Sequence, residues 1–246
     1  MTDHAFEVGA ATHRARRETN EDQASAGSFP GGAYLLVADG VGGEAWGDVA
    51  SRTALQGAEG SLLKQLHSSI DAGTTPDIRR MVQLAFRAAG KGLVRAAVDQ
   101  SRRFGLKTTL IVALVWRDQL AIAYVGDGGL WCWQDSVMEL EPLLVPMANE
   151  AGELAAVLSP WKIFEPQVCV RHWTPGSVLI AATDGIADPI PFDGIGLLAR
   201  ELHQSSNSVE DLLCQLLEAC NAQSDDMGPI FDDNMGIAAL RQRSAA

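Results

Sequence analysis

Aspartates recur in this sequence at the ends of short apolar runs, beside glycine or asparagine. Four positions share this pattern: Asp39, Asp127, Asp184 and Asp233. Apolar runs of about four to eight residues bounded by glycine are typical of buried strands. An unpaired carboxylate buried at a strand end would be costly, so positive charge is expected beside each of them. The four aspartates together therefore predict one carboxylate cluster that holds cations.

An isolated aspartate before glycine has a simpler explanation. Both residues tolerate the backbone conformations of turns, and short motifs match often by chance. Any one of these sites, taken alone, is better explained as a turn. Four of them in one chain, with the acidic pair Glu21 and Asp22 near its start, favour a shared site.

The elements that must position these aspartates follow from the apolar periodicity. Helices are predicted where apolar residues recur every three to four positions, and strands where they run together or alternate. The predicted strands are 6–8, 12–17, 35–38, 108–116, 119–125, 130–133, 137–140, 167–173, 177–183 and 235–240, and the predicted helices are 45–68, 77–101, 195–204 and 209–222. Groups of strands that alternate with groups of helices favour an α+β fold with antiparallel sheets. Two sheets packed face to face, with helices outside, would cover the long apolar strands.

Length and charge narrow the class of protein. The chain has 246 residues, enough for a sizeable core, and nothing marks a boundary, so a single domain over 1–246 is expected. Lys and Arg total 19 against 31 Asp and Glu, which gives a net charge of −12. This charge disfavours nucleic acid and anionic membranes as partners. We expect a monomer.

The expected location is the cytoplasm. The first residues lack the basic and apolar regions of a signal peptide, and no apolar run reaches transmembrane length. The four cysteines, Cys132, Cys169, Cys214 and Cys220, show no zinc-site spacing. They are expected to be reduced residues of the core, as is usual in the cytosol.

An ordered set of motifs resembles that of the metal-dependent protein phosphatases of the 2C type. The likeness covers about 6–240, and it rests on Arg17-x-x-Asn20-Glu21-Asp22, Asp39-Gly40-x-Gly42-Gly43, Thr108-Thr109, Gly126-Asp127, Asp184-Gly185 and Asp233-Asn234. Each motif is weak by itself, and the order makes the set specific. The resemblance implies a four-layer α-β-β-α sandwich, two antiparallel sheets flanked by helices, with a dinuclear metal site at one end.

The resemblance also implies roles for individual residues. Asp39 would bridge two ions, with Asp184 and Asp233 on the first and with Glu21 and the Gly40 carbonyl on the second. Arg17 would bind the substrate phosphate. Asp127 would bind a third, looser ion, and Asp22 and Asn234 would support the site.

The chemistry of these groups agrees with such roles. Carboxylates, a carbonyl and water are hard oxygen ligands suited to Mn²⁺ or Mg²⁺. Two such ions activate water for in-line attack on phosphorus, and an arginine can bind phosphate oxygens in pairs. The expected function is hydrolysis of phosphoserine and phosphothreonine in a phosphorylated protein substrate, opposing a Ser/Thr kinase.

The sequence departs from the family pattern in three places. Gly128 and Gly129 stand where many members have serine and arginine, and the segment 140–167 is short for the usual flap beside the site. These two differences bear on the third metal and on recognition of protein substrates. Val41 replaces a histidine of many eukaryotic members, which bears on proton delivery. On the predicted strand 12–17, His13 would lie about 13 Å from Arg17, too far to contact the same phosphate.

Two other classes of protein compete with this interpretation. A phosphatase of the haloacid dehalogenase type needs Asp-x-Asp, which Asp39-Gly40-Val41 does not supply. A degenerate phosphatase domain that binds phosphoproteins as a regulatory module is the second alternative. Retention of every core carboxylate argues against it, and turnover of p-nitrophenyl phosphate with Mn²⁺ would separate the two.

Overall fold

The fold is described from a computed structural model, which describes residues 6–41, 46–99, 105–134, 136–150, 154–162, 165–225 and 228–243. The strands within these ranges are β1 Phe6–His13, β2 Asp22–Phe29, β3 Gly32–Asp39, β4 Leu110–Trp116, β5 Gln119–Val125, β6 Gly129–Gln134, β7 Glu139–Pro142, β8 Gln167–His172, β9 Val178–Ala182, β10 Ser224–Asp225, β11 Gly228–Pro229 and β12 Met235–Gln242. The helices are α1 Gly47–Asp71, α2 Ile78–Asp99, α3 Asp184–Ala187, α4 Phe192–Gln204 and α5 Val209–Asn221.

Ten of these strands form two antiparallel sheets of five. Sheet I has the order β1-β12-β9-β6-β7, and sheet II has the order β2-β3-β4-β5-β8. In sheet II each strand from β2 to β5 pairs with the next one in the chain. The pairs β2–β3 and β4–β5 are hairpins, with Arg117 and Asp118 in the turn of the second, whereas α1 and α2 lie in the connection from β3 to β4. Sheet I instead joins the two ends of the chain, because β1 pairs with β12 along its whole length. The short strands β10 and β11 pair only with each other.

Three apolar layers hold the sheets and helices together. One lies between the two sheets, where Leu35, Ile122 and Leu179 are buried. A second lies between sheet II and the helices α1 and α2, and a third between sheet I and the helices α4 and α5. Because β3, β4 and β5 contact an apolar layer on each face, their sequences are almost continuously apolar. The predicted four-layer α-β-β-α sandwich is confirmed.

The structure corrects several predicted elements. Thr12 and His13 end β1, and the residues after them form a turn in which Arg17 N donates to Arg14 O over 3.1 Å, so 12–17 is not a strand. The predicted strand at 137–140 begins later, at Glu139, and β2 was missed because its small and polar residues lack a strand pattern. Cys214 is exposed rather than in the core. The start of the predicted helix 45–68 and the end of 77–101 lie outside the described residues.

Within the described ranges, none of the helices combines the length and the apolar character needed to cross a lipid bilayer.

Candidate active site

Strand direction explains why the predicted carboxylates meet. β3 and β5 run parallel to each other on either side of β4, so Asp39 and Asp127 leave sheet II at the same edge. In sheet I, β12 is antiparallel to β9. Asp233 lies just before β12 and Asp184 lies just after β9, so the two aspartates are at the same edge of the sheet. Packing of the two sheets brings these edges together. Carboxylate oxygens of Asp39, Asp127 and Asp184 all lie within 4.8 Å of one another.

The cluster opens into a cavity of about 500 Å³. Its lining includes every residue for which the sequence predicted a metal or phosphate contact, together with Asn234 and two apolar side chains. These residues are Arg17, Glu21, Asp39, Gly40, Val41, Asp127, Leu154, Asp184, Asp233 and Asn234. The structure therefore brings the residues predicted to contact metal or phosphate into one cavity, whereas Asp22 is buried and is not in its described lining. Gly42 and Gly43 of the same motif lie outside the described residues.

Two consecutive threonines fix the backbone of Asp39. The Asp39 amide donates to Oγ1 of Thr109 over 3.0 Å, and the hydroxyl of Thr108 donates to the Asp39 carbonyl over 2.8 Å. The Thr109 amide also donates to this carbonyl, at 2.8 Å. With both backbone groups of Asp39 hydrogen-bonded, the end of β3 is held by Thr108 and Thr109, which directly precede β4.

Asp22 supports Asp39 from the neighbouring strand. The two residues are opposite each other in the pairing of β2 with β3, and Asp22 is only 1% exposed. Its Oδ2 accepts a hydrogen bond of 2.6 Å from the hydroxyl of Thr183, which directly precedes Asp184. Asp22 thus links the sheet II side of the cluster to the sheet I side.

Asn234 ties the loop after β1 to the start of β12. Its Oδ1 accepts from the Glu21 amide over 2.8 Å, and its Nδ2 donates to the carbonyls of Arg14 and Thr19 over 2.9 and 3.0 Å. The side chain is 4% exposed. These three bonds hold both ends of the segment that carries Arg17, so Asn234 positions the rim of the cavity.

Arg17 lies at that rim and is about half exposed. Its Nη2 is 2.9 Å from Oδ2 of Asp233, and its Nε donates to the carbonyl of Asp232 over 3.2 Å. A guanidinium beside an open cavity is suited to bind an oxyanion. The pairing with Asp233 keeps it at the cavity edge rather than in bulk water.

Glu21 and the Gly40 carbonyl meet beside the first residue of α1. A Cβ added at Gly47 would lie 2.5 Å from Oε1 of Glu21 and 3.1 Å from the Gly40 carbonyl oxygen. A side chain there would fill the space between the two oxygen ligands. Glycine at this position therefore lets the start of α1 approach both oxygens closely, a feature that the sequence analysis did not predict.

Burial and mutual repulsion disfavour the charged form of these carboxyls. Burial raises the pKa of Asp39 well above its ordinary value, and the charges of Asp22 and Asp184 raise it further. Burial, followed by the charges of Asp127 and Asp233, raises the pKa of Asp184 to about 6. Burial also raises the pKa of Asp22, Glu21 and Asp127. A nearby cation would reverse these shifts.

The donor set fits a divalent cation. Oδ1 of Asp127 is buried and has no hydrogen-bond partner among the described residues, although such atoms are almost always paired. It belongs to the same cluster as Asp39 and Asp184. The cluster offers carboxylate oxygens, which are the ligand type that Mg²⁺ and Mn²⁺ prefer.

The structure shows the surroundings of two positions that depart from the family pattern. Gly129 is covered by the ring of Trp131, which a Cβ would overlap, so the position cannot carry a long side chain in this packing. Val41 lines the cavity, where it offers no proton. Nδ1 of His13 accepts from the Ala15 amide over 2.9 Å, and the described cavity lining contains no histidine. The strand at 12–17 on which the distance between His13 and Arg17 was based was wrong, because the residues after His13 form a turn.

Comparison with known proteins identifies the family. A model of the family described as protein phosphatase 2C matches residues 9–229. Because this match covers most of the sequence, the chain belongs to the protein phosphatase 2C family.

Curated relatives match more locally. The serine/threonine phosphatase stp of Listeria innocua is 33% identical over 105 residues, which make up 42% of this chain and 40% of that protein. The serine/threonine protein phosphatase PstP of Mycobacterium tuberculosis is 22% identical over 214 residues, 80% of this chain and 39% of that protein. The chain thus spans about two fifths of the length of these curated relatives.

Solved structures share the whole fold. The crystal structure of M. tuberculosis PstP has a TM-score of 0.75 at 20% identity, and the match covers 97% of this chain and 99% of that chain. The catalytic domain of PstP in complex with two manganese ions gives a TM-score of 0.75 at 22% identity, with the same coverage. At such identities the likeness establishes the two-sheet architecture.

Proposed function

We propose that this protein is a metal-dependent serine/threonine protein phosphatase, built as one domain over residues 1–246. The observation that carries the proposal is the convergence of Asp39, Asp127 and Asp184 in one cavity with Arg17 at its rim. Membership of the protein phosphatase 2C family supports the reaction class. The names of the Listeria and Mycobacterium relatives support phosphoserine and phosphothreonine as the groups removed.

Two cations, Mn²⁺ or Mg²⁺, would be held by residues of both sheets. The residues proposed as ligands are Asp39 as the bridge, Asp184 and Asp233 on one ion, and Glu21 with the Gly40 carbonyl on the other, with Asp127 available to a third. When bound, the ions supply an activated water for attack on phosphorus and neutralise charge at the reacting group. The manganese in the related PstP structure supports this choice of metal.

Arg17 would bind the phosphate of the substrate. Its present partner, Asp233, is 47% exposed, and Arg17 is 51% exposed. Exposed ion pairs of this kind contribute only about 0–1 kcal/mol, so Arg17 can exchange this contact for phosphate oxygens at little cost. The turn that carries Arg17 stays anchored through Asn234 while the guanidinium moves.

The proposed substrate is a phosphorylated protein, with a Ser/Thr kinase as the opposing enzyme and a monomer as the active species. The half-exposed Arg17 supports this choice, because a phosphorylated side chain on a protein surface can reach it.

The proposal is tested with a phosphothreonine peptide in the presence of Mn²⁺. Release of phosphate by the wild type, and its loss in Asp39→Asn, is the expected result. Binding of the peptide without release of phosphate by the wild type would overturn the proposal and favour the regulatory binding module. Circular dichroism of Asp39→Asn serves as the control for folding. The variant should remain folded, because the Asp39 side chain lies beside the other carboxylates of the cluster rather than in the apolar core.

A further inference from the structure

The outer surface of α2 concentrates positive charge on an otherwise acidic protein. The helix carries five basic residues and one acidic residue, whereas the chain as a whole has a net charge of −12. All five basic side chains are exposed: Arg79, Arg80, Arg87, Lys91 and Arg95. An acidic partner would be repelled by most of this molecule and attracted to this helix.

A groove lies between α2 and an opposite wall that contains Leu158, Ser159, Glu165 and Pro166. It has a volume of about 320 Å³, and its surface is mostly apolar. Gly90 and the 41% exposed Val94 contribute from α2, and Pro166 contributes from the opposite wall. Arg87 and Lys91 also line the groove, so an apolar floor has a basic side.

The groove continues along the helix into a second cleft. This cleft, of about 410 Å³, contains Arg79 and Arg80 and shares Gln83 and Arg87 with the groove. From Arg79 to Val94 the helix rises about 22 Å, which matches about seven residues of extended chain. The surface therefore has the length, the apolar floor and the charge to hold a short acidic segment.

The groove is joined to the catalytic cavity by a short stretch of chain. Leu158 lines the groove, and Leu154, four residues earlier, lines the cavity. Four residues span at most about 14 Å. Leu158 also exchanges two backbone hydrogen bonds with Thr108, at 3.0 and 2.8 Å, and Thr108 in turn holds the Asp39 carbonyl.

We propose that this α2 groove binds an acidic segment of the protein substrate, with an apolar residue between Asp or Glu residues. Docking there places a phosphorylated residue within one linker length of the catalytic cavity and raises its effective concentration. The effect on turnover rests on the proposed phosphatase function, whereas binding of the acidic segment in the groove does not depend on that function. The described linings contain two acidic residues: Glu165 on the wall of the groove opposite α2, and Asp77 in the second cleft.

Three synthetic peptides test the proposal. The first carries the segment Glu-Asp-Leu-Phe-Asp-Glu, a linker of about eight Gly and Ser residues, and phosphothreonine. The second has lysine in place of each acidic residue, and the third lacks the segment. The protein variant is the double charge reversal Arg87→Glu/Lys91→Glu. The matched control is Lys64→Glu/Arg200→Glu, two exposed positions on other helices with the same change in net charge.

Binding of an unphosphorylated, fluorescein-labelled acidic segment is measured first, by anisotropy at low salt. We expect binding to the wild type and to the matched control, and a loss of at least about tenfold in affinity for Arg87→Glu/Lys91→Glu. Equal affinity of all three proteins, or equal affinity of the acidic and lysine segments, would overturn the proposal. Because this readout needs no turnover, it is independent of the phosphatase activity.

Turnover in Mn²⁺ then tests the docking role. The wild type should show a KM about tenfold lower for the first peptide than for the third, and Arg87→Glu/Lys91→Glu should remove this difference. Its rate on p-nitrophenyl phosphate should equal that of the wild type. If the groove instead covers a second copy of the chain, sedimentation will show a dimer that the double variant dissociates, and the substrate-docking proposal is then wrong.

Discussion

Replacing Asn234 with alanine should both destabilise the fold and weaken catalysis. Three hydrogen bonds disappear, which leaves the Glu21 amide and the carbonyls of Arg14 and Thr19 without this partner. Loss of a buried partner costs about 1–3 kcal/mol for each group. Arg14 and Thr19 lie in exposed turns where water can reach their carbonyls. We therefore expect a total of about 3 kcal/mol, most of it from the Glu21 amide.

Urea unfolding measures this loss directly. With a denaturant slope of about 3 kcal/mol per molar for a chain of this size, the midpoint should fall by about 1 M. The value of kcat/KM on p-nitrophenyl phosphate should fall by about tenfold to a hundredfold, because the segment that carries Arg17 loses its anchor. Asn207→Ala is the control, since its exposed side chain lies on the loop before α5 and should change stability by less than about 0.5 kcal/mol. An Asn234→Ala protein with an unchanged midpoint and unchanged kcat/KM would refute the positioning role.

Three further results are expected. Asp39→Asn should abolish turnover yet raise the urea midpoint in EDTA, because it removes a carboxyl group whose ionisation is opposed by burial and by the neighbouring charges; a lower midpoint would assign Asp39 to the scaffold. Burial and repulsion raise the pKa of Asp39 and Asp184 above the ordinary 3.8, so the metal-free folded chain holds protons that the unfolded chain releases. Its unfolding free energy in EDTA should therefore fall as pH rises from about 4 through 6 and above, and a rise over this range would contradict the electrostatics of the cluster. Arg17→Ala should raise KM more than it lowers kcat, since Arg17 binds phosphate in ground and transition states alike; a fall in kcat at constant KM would show otherwise.

The fold was predictable where the sequence pattern is strong. The layered architecture could be predicted from the apolar runs and from the periodic helices. The runs correspond to β3, β4, β5, β9 and β12, where burial on both faces leaves a continuous apolar signal. β2 carries mostly small and polar residues, so its sequence has no such signal. Its position is set by pairing with β3, a contact that local pattern does not encode.

The carboxylates of the site could be predicted from the sequence, but the contacts that position them could not. Asp39 and Asp184 stand out because acidic residues at the ends of buried strands are unusual. The contacts that position them join residues far apart in the chain, such as Thr183 with Asp22 and Asn234 with Glu21. Leu154 had no signal at all, because it enters the cavity from an irregular segment.

The hydrolysis of p-nitrophenyl phosphate in excess EDTA, followed by addition of a single metal, tests the central claim most directly. The carboxylate cluster accounts for activity only if a bound cation is required. We predict no turnover in EDTA, full recovery with Mn²⁺ or Mg²⁺, and no recovery with Ca²⁺, which prefers more ligands at longer distances. Full turnover in excess EDTA would contradict the account.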